Sequence, residues 1–231
     1  MYIVDAVSSF GGVELKIDDW NIDFCATGSQ KCLETPPGLG LISVSDGAWK
    51  VMENRCEPIR GWYLNLQNLR RYCTMWVDWH PQGPVTIPTS LFVGLRLVLK
   101  KILAEGLEQR FERHRRSAKA MRAAVRTMGL EPFVRDEIAS NTLTSVRVPQ
   151  GIKCGDILAT MRNDHNIMIS GGVGPTEGKI FRIAHMGVTA SPSYILPTIS
   201  ALEKSLKKLG YPVVQDSGVK AAEAILDSGR A

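Results

Sequence analysis

Short apolar runs separated by turn-forming residues occupy the first forty-five positions of the chain, and they predict strands. Tyr2 to Val4 is a β-rich run ending at the acidic Asp5, and Ser8, Ser9, Gly11 and Gly12 behind it are turn formers. Asp18, Asp19, Trp20 and Asn21 suit a helical turn, after which Ile22 to Ala26 reads as a second strand. LGLISVS, residues 39–45, is another apolar strand, and Asp46 behind it is placed to cap a helix reaching about Arg55. Strand, loop, strand, helix is the order of an α/β sheet.

Farther along the period changes. Residues 56–90 are rich in Trp, Tyr, Pro and Gly, have no clean period and read as an irregular excursion. From Thr89 or Ser90, either of which can cap a helix, apolar residues recur with helical spacing at Leu91, Leu95, Val98, Leu99, Ile102 and Leu103. Gly106 interrupts or kinks the pattern. Leu107, Phe111, Ala118, Met121, Val125 and Met128 continue an apolar stripe, and Gly129 stops it. Short strands and helices then alternate: a strand over 142–149, a helix near 155–164, strands in NIMISGG and KIFRIAHMG, a helix over 191–209 and a weak helix in the tail. The pattern divides the chain into residues 1–108 and a small α+β unit, 109–231.

Composition narrows the partners. A chain of 231 residues, 44% hydrophobic and 22% charged, buries a real core. Its net charge of +5 comes from one segment, HRRSAKAMRAAVR (114–126), whose arginines fall mostly off the stripe and read as a solvated helix face. With no aromatic or groove-reading motif beside that charge, no nucleic-acid partner is expected. The five cysteines are scattered and form no CxxC pair, which argues against a disulfide framework or a zinc ribbon; no metal and a reducing, cytoplasmic setting are expected. LFVGLRLVL (91–99) is too short to cross a bilayer and contains Arg96, so no membrane partner is expected either. MYIVDAVSS lacks the basic start of a signal peptide and reads as a chain entered in mid-domain.

The chemistry centres on TGSQKCLETPPGLG, residues 27–40, where Lys31 stands just past the end of an apolar run. Asp5 ends a similar run 26 residues earlier, a separation that suits adjacent strands. An acid and an amine so placed make a structural ion pair or the two ends of a cofactor cradle. Lysine forms Schiff bases, and the cofactor that combines a lysine Schiff base with an acid at its ring nitrogen is pyridoxal phosphate. Arg182 is a cation among Ile180, Phe181 and Ile183: a strand arginine facing water, or a planar fork for a carboxylate. His80 and His185 weigh less, since a lone histidine is more often structural. Cys32 packs, and Trp62, Trp76 and Trp79 fill a core or a dimer interface.

VDAVSSFGG, DFCATGSQK, PPGLGLISVSD and GGVGPTEGKIFRIAHMG together resemble the corresponding segments of class V aminotransferases, of the serine/alanine–glyoxylate group. The resemblance implies an α/β, fold-type I pyridoxal-phosphate transferase, with part of the large-domain sheet in residues 1–108 and the small C-terminal domain in 109–231. It implies that Lys31 forms the Schiff base with pyridoxal 5'-phosphate and shuttles the proton, and that Asp5 pairs with the pyridine nitrogen. Gln30 would touch the cofactor phosphate, Thr86 the phosphate of the neighbouring subunit in a homodimer, and Arg182 the substrate carboxylate. Substrates would be a small amino acid, serine or alanine, and a 2-oxo acid, glyoxylate or pyruvate.

The sequence departs from that family at two places. Gly83 stands where the family has a tyrosine that contacts phosphate across the dimer. The family's long N-terminal portion, with its phosphate-binding turn and the ring that stacks on the pyridine, has no counterpart ahead of VDAVSS. A catalytically inactive remnant of the fold is therefore the competing expectation, and another reaction on the same fold, a desulfurase or a lyase, the third.

Overall fold

The computed structural model describes residues 1–74 and 83–228. Its first sheet contains β1 (Ile3–Asp5), β2 (Phe24–Gly28) and β3 (Gly40–Val44) in that order. β1 runs parallel to β2 with Asp5 opposite Ala26, and β2 runs antiparallel to β3. Among the described residues no strand lies along the outer side of β1, and Tyr2 and Ile3 on it are more than half exposed.

Helix α1 (Asp46–Glu53) follows β3, but its cap is Ser45 rather than Asp46: the extended Ser45 accepts the Ala48 N–H at 3.0 Å on its hydroxyl. The serine sits one residue earlier, where a short oxygen reaches back over the first turn. Asp46 lies inside that turn, where its charge suits the positive end of the helix. The excursion expected over 56–90 contains a second helix, α2 (Leu66–Thr74). Periodicity missed it because none of its residues is buried. The Asn65 carboxamide oxygen accepts the N–H groups of Gln67 and Asn68, at 3.0 and 3.3 Å, and so starts the helix. Polar contacts hold it to α1: Gln67 donates to the Met52 carbonyl, and Arg70 pairs with Glu53 and lies over the Trp49 ring.

Helices α3 (Thr89–Glu105) and α4 (Leu107–Thr127) are separated at Gly106, whose φ of 85° a residue with a Cβ rarely adopts. Neither Thr89 nor Ser90 caps α3; Pro88 precedes it without a side-chain cap. α3 buries only Leu95 and Ile102, leaving Phe92, Val93, Leu97 and Leu103 at least half exposed. α4 departs most from expectation. Arg115 and Arg126 do lie on a solvated face, but Arg122 is 6% exposed and Arg110, a turn ahead of the basic segment, 2%. Each of these two buried arginines is paired with a more exposed acid, Arg110 with Glu34 and Glu105 and Arg122 with Asp136, and pairing is what lets a guanidinium leave water.

The second sheet has the order β4-β6-β5, all antiparallel, from β4 (Leu143–Arg147), β5 (Ser170–Gly171) and β6 (Ile180–Ala184). Val146, Phe181 and Ile183 point from one face of it into the largest apolar cluster, with Met121 and Val125 of α4 and Met161 of α5 (Cys154–His165). Helices α6 (Pro192–Lys208) and α7 (Ser217–Asp227) complete that cluster with Ile199, Leu202 and Leu226. Each such side chain, wholly removed from water, contributes about 1.5–3 kcal/mol. Among the described residues no helix is long and apolar enough to cross a membrane.

Candidate active site

Because β1 and β2 are parallel neighbours, their carboxyl ends lie on one edge of the first sheet, where open α/β sheets bind ligands. Asp5 is the last residue of β1 and is exposed; one of its oxygens accepts the Val7 N–H at 2.9 Å. Lys31 is three residues past the end of β2, in a turn that Ser29 and Thr35 close. Ser29 N–H donates to the Leu39 carbonyl at 3.0 Å, while Thr35 donates its N–H at 3.0 Å and its hydroxyl at 2.9 Å to the Ser29 carbonyl. The Glu34 N–H donates to the Lys31 carbonyl at 3.0 Å.

Cys32 and Leu33 turn inward, 0 and 1% exposed, and anchor the turn from below. Burial pushes the Cys32 thiol up to about 11, so it is inert and packs, as expected. Lys31 itself is half-buried, and among the described residues its amine has no acid paired with it. Gln30 is exposed, with its carboxamide folded back over Gly28: a Cβ on that glycine would meet Gln30 Oε1 at 2.7 Å.

The other expected residues lie elsewhere in the chain. Thr86 is exposed in the segment leading to α3, and Gly83 is half-buried at its start. Arg182 is central in the second sheet, between Ser145 of β4 and Ser170 of β5, and its Nε donates to the Gly171 carbonyl at 2.7 Å. That bond fixes the guanidinium by its inner nitrogen and leaves the outer two, the ones that grip a carboxylate, without a protein partner among the described residues. His185 is wholly buried and bonded to Thr144 and Asn141, which makes it structural. Trp62 is half exposed, edge-on to Tyr72 at 6.0 Å, and fills no core. His80, Trp76 and Trp79 fall outside the described residues. Among the described residues no three His, Cys, Asp or Glu side chains gather to hold a metal.

A cluster at the α3–α4 junction went unanticipated. Arg110 donates from Nε to the Gly11 carbonyl at 2.6 Å, from Nη1 to Glu105 at 2.8 Å, and from Nη2 to the Cys32 carbonyl at 2.5 Å and Glu34 at 2.7 Å. Glu105 also takes two bonds from Arg113, whose Nη1 reaches the carbonyls of Gly187 and Ala190 at 2.6 and 2.8 Å. Burial pushes the Glu105 carboxyl up, but the hydrogen bonds from Arg113 and Arg110 outweigh it and hold it below its usual range. Beside them, buried His114 accepts the Gly187 N–H on Nε2 at 2.9 Å while Nδ1 faces the Arg110 carbonyl at 2.8 Å. A sequence signal existed. Counting back from Met121 by helical steps of three and four reaches Ser117, His114 and Arg110, so the buried stripe runs on through polar residues.

The aminotransferase class-V family model matches residues 1–184. An uncharacterized aminotransferase of Methanocaldococcus jannaschii is 41% identical over 226 residues, 98% of this chain and 57% of that protein. A serine–glyoxylate aminotransferase of Arabidopsis thaliana is 36% identical over 231 residues, 98% of this chain and 55% of that one. The crystal structure of pyridoxamine–pyruvate aminotransferase from Mesorhizobium loti superimposes with a TM-score of 0.89 at 38% identity, covering 98% of this chain and 57% of the other. The chain thus spans a little over half the length of these relatives.

Proposed function

The chain belongs to the aminotransferase class-V family, and from that membership we propose that it transfers an amino group between a small amino acid, serine or alanine, and a 2-oxo acid, glyoxylate or pyruvate, with pyridoxal 5'-phosphate as cofactor. The observation that carries this reading is the placement of Asp5 and Lys31 at or just past the carboxyl ends of two adjacent parallel strands, the amine without a paired acid among the described residues. These residues fit the cofactor: Lys31 brings a primary amine, the group that forms a Schiff base with an aldehyde, and Asp5 has a carboxylate oxygen left over for a ring N–H.

The bound cofactor supplies an electron sink for the pair left behind when an amino acid's α-carbon gives up its proton. Lys31 Nζ would hold the cofactor through its aldehyde carbon and, once released from it, carry that proton. Asp5 would keep the ring nitrogen protonated. Gln30 meets the phosphate, and Thr86 is assigned to the phosphate of a second copy in a homodimer. Arg182, with Nε already committed to Gly171, offers its two outer nitrogens to the substrate carboxylate. Residues 1–108 are taken as part of the large domain and 109–231 as the small one, a division that the backbone break at Gly106 supports. The setting proposed is the cytoplasm, and neither nucleic acid nor membrane enters the reading.

Incubation with pyridoxal phosphate and reduction by borohydride should leave the phosphopyridoxyl group on Lys31. An adduct spread over the surface lysines, or a visible absorption band that survives Lys31→Ala, overturns the proposal.

A further inference from the structure

We propose that Arg110 is a positioning residue for Lys31: its buried fork clamps the Lys31 turn to α4, and through Glu105 and Arg113 to the turn that follows the Arg182 strand. The inference rests on Lys31 being the reactive amine. Its structural part does not.

Arg110 comes from a distant part of the chain, 78 residues after Cys32, yet its guanidinium makes four hydrogen bonds, with all three nitrogens engaged. Two bonds go to backbone carbonyls, those of Gly11 and Cys32, and two to carboxylates, those of Glu34 and Glu105. A carbonyl has no rotamer to change, so a fork seated on Cys32 fixes the backbone one residue from Lys31. Lysine in place of arginine would keep the charge and lose that planar reach. Glu34 holds a φ of 59°, a left-handed conformation that a residue with a side chain keeps only when its surroundings over-determine it. What over-determines it here is Arg110 on one side and Gly187 on the other, where a Cβ would run into the Glu34 side chain.

The same fork reaches the second sheet. Glu105 is shared between Arg110 and Arg113, and Arg113 holds the carbonyls of Gly187 and Ala190, just beyond the end of β6. Arg182 is on β6, five residues before Gly187. The turn carrying the amine and the strand carrying the carboxylate-binding fork are therefore referenced to one pair of arginines on one helix turn. Aminotransfer requires the two to keep a fixed separation, since one substrate must touch both while its α-proton moves. Neither a solvated arginine nor a merely space-filling one would need acceptors on both sides of that separation.

The test uses the full chain and the thiols it already has. Cys32, under the clamp, is 0% exposed; Cys25 in the first sheet and Cys154 in α5, 4 and 8% exposed and neither bonded to Arg110, are internal controls. In Arg110→Lys, alkylation of Cys32 by iodoacetamide, followed by peptide mass spectrometry, should accelerate about tenfold or more while Cys25 and Cys154 keep their rates. In the same variant, the pH profile of borohydride-trapped phosphopyridoxyl at Lys31 should move and its yield should fall severalfold. Arg122→Lys, an equally buried arginine on the same helix, should leave both readouts unchanged. Acceleration of all three thiols together, or an unchanged Cys32, overturns the clamp. Selective exposure of Cys32 with unaltered trapping at Lys31 overturns the positioning role. Should the wild-type chain trap nothing at Lys31, the functional proposal fails while the thiol rates still decide the clamp. If Arg110→Lys does not fold, Glu34→Gln, which keeps shape and removes one of the clamp's charges, carries the same comparison.

Discussion

His185 Nε2 lies 2.9 Å from Thr144 Oγ1 in a site that excludes water entirely. Nδ1, 3.1 Å from the Asn141 carbonyl, donates on that side, and the neutral ring that burial favours accepts the threonine hydroxyl proton on Nε2. His114 is held the same way, Nδ1 toward a carbonyl and Nε2 toward a backbone N–H. Burial is the main cause that lowers both to about 4 from 6.5, with Arg113 and Arg110 adding to it at His114 and Arg122 at His185.

A pH dependence of stability follows. Between pH 6.5 and 4 the unfolded chain binds protons at these two histidines and the folded chain does not, so falling pH favours unfolding. The stability they contribute is complete above 6.5 and lost as pH falls toward 4, up to about 3 kcal/mol for each. Denaturant midpoints should be flat above neutrality and decline through that window. A profile that is level down to pH 4.5 would contradict the assignment.

Two glycines in the left-handed region should behave differently. Gly187, φ 58°, has the Glu34 side chain where a Cβ would go; Gly210, φ 84°, has nothing within 4 Å. Gly210→Ala should therefore cost only the backbone conformation, about 1 kcal/mol. Gly187→Ala should cost about 3 kcal/mol or more, since Glu34 must also move. Equal losses for the two in chemical unfolding would show that the Glu34 contact carries no energy.

Glu203, 3% exposed on α6, accepts the backbone N–H groups of Asp216 and Gly218 at 3.0 and 2.6 Å and so ties down the start of α7. Glu203→Ala should leave both groups unpartnered and cost about 2 kcal/mol. Limited proteolysis near Asp216 should become faster than cleavage within α4, and equal rates at the two places would refute the tie.

Strands and the helical stripe were legible because one face of each packs on apolar neighbours: β2, β3, β4, β6 and α5 to α7 appear where the periods put them. Asp5 and Lys31 were legible as ends of apolar runs. What stayed hidden has a common cause. α2 buries nothing and so writes no period, and Arg110 and His114 sit on the buried face but are polar, so an apolar pattern passes over them. Their burial depends on acceptors up to 99 residues away, which no local window contains.

Arg182→Lys tests the carboxylate assignment. The ammonium retains the charge but cannot grip two oxygens, so KM for the 2-oxo acid should rise about tenfold or more with a smaller change in kcat. Trapping of pyridoxal phosphate at Lys31 should be untouched. A KM that does not move would remove Arg182 from the substrate site.

The free flank of β1 has a consequence for handling the protein. Its outward peptide groups meet no strand among the described residues, and Ile3 is 68% exposed above them. Any extended polypeptide could zip along that rim, so self-association, which grows with concentration, threatens the chain well before its interior melts.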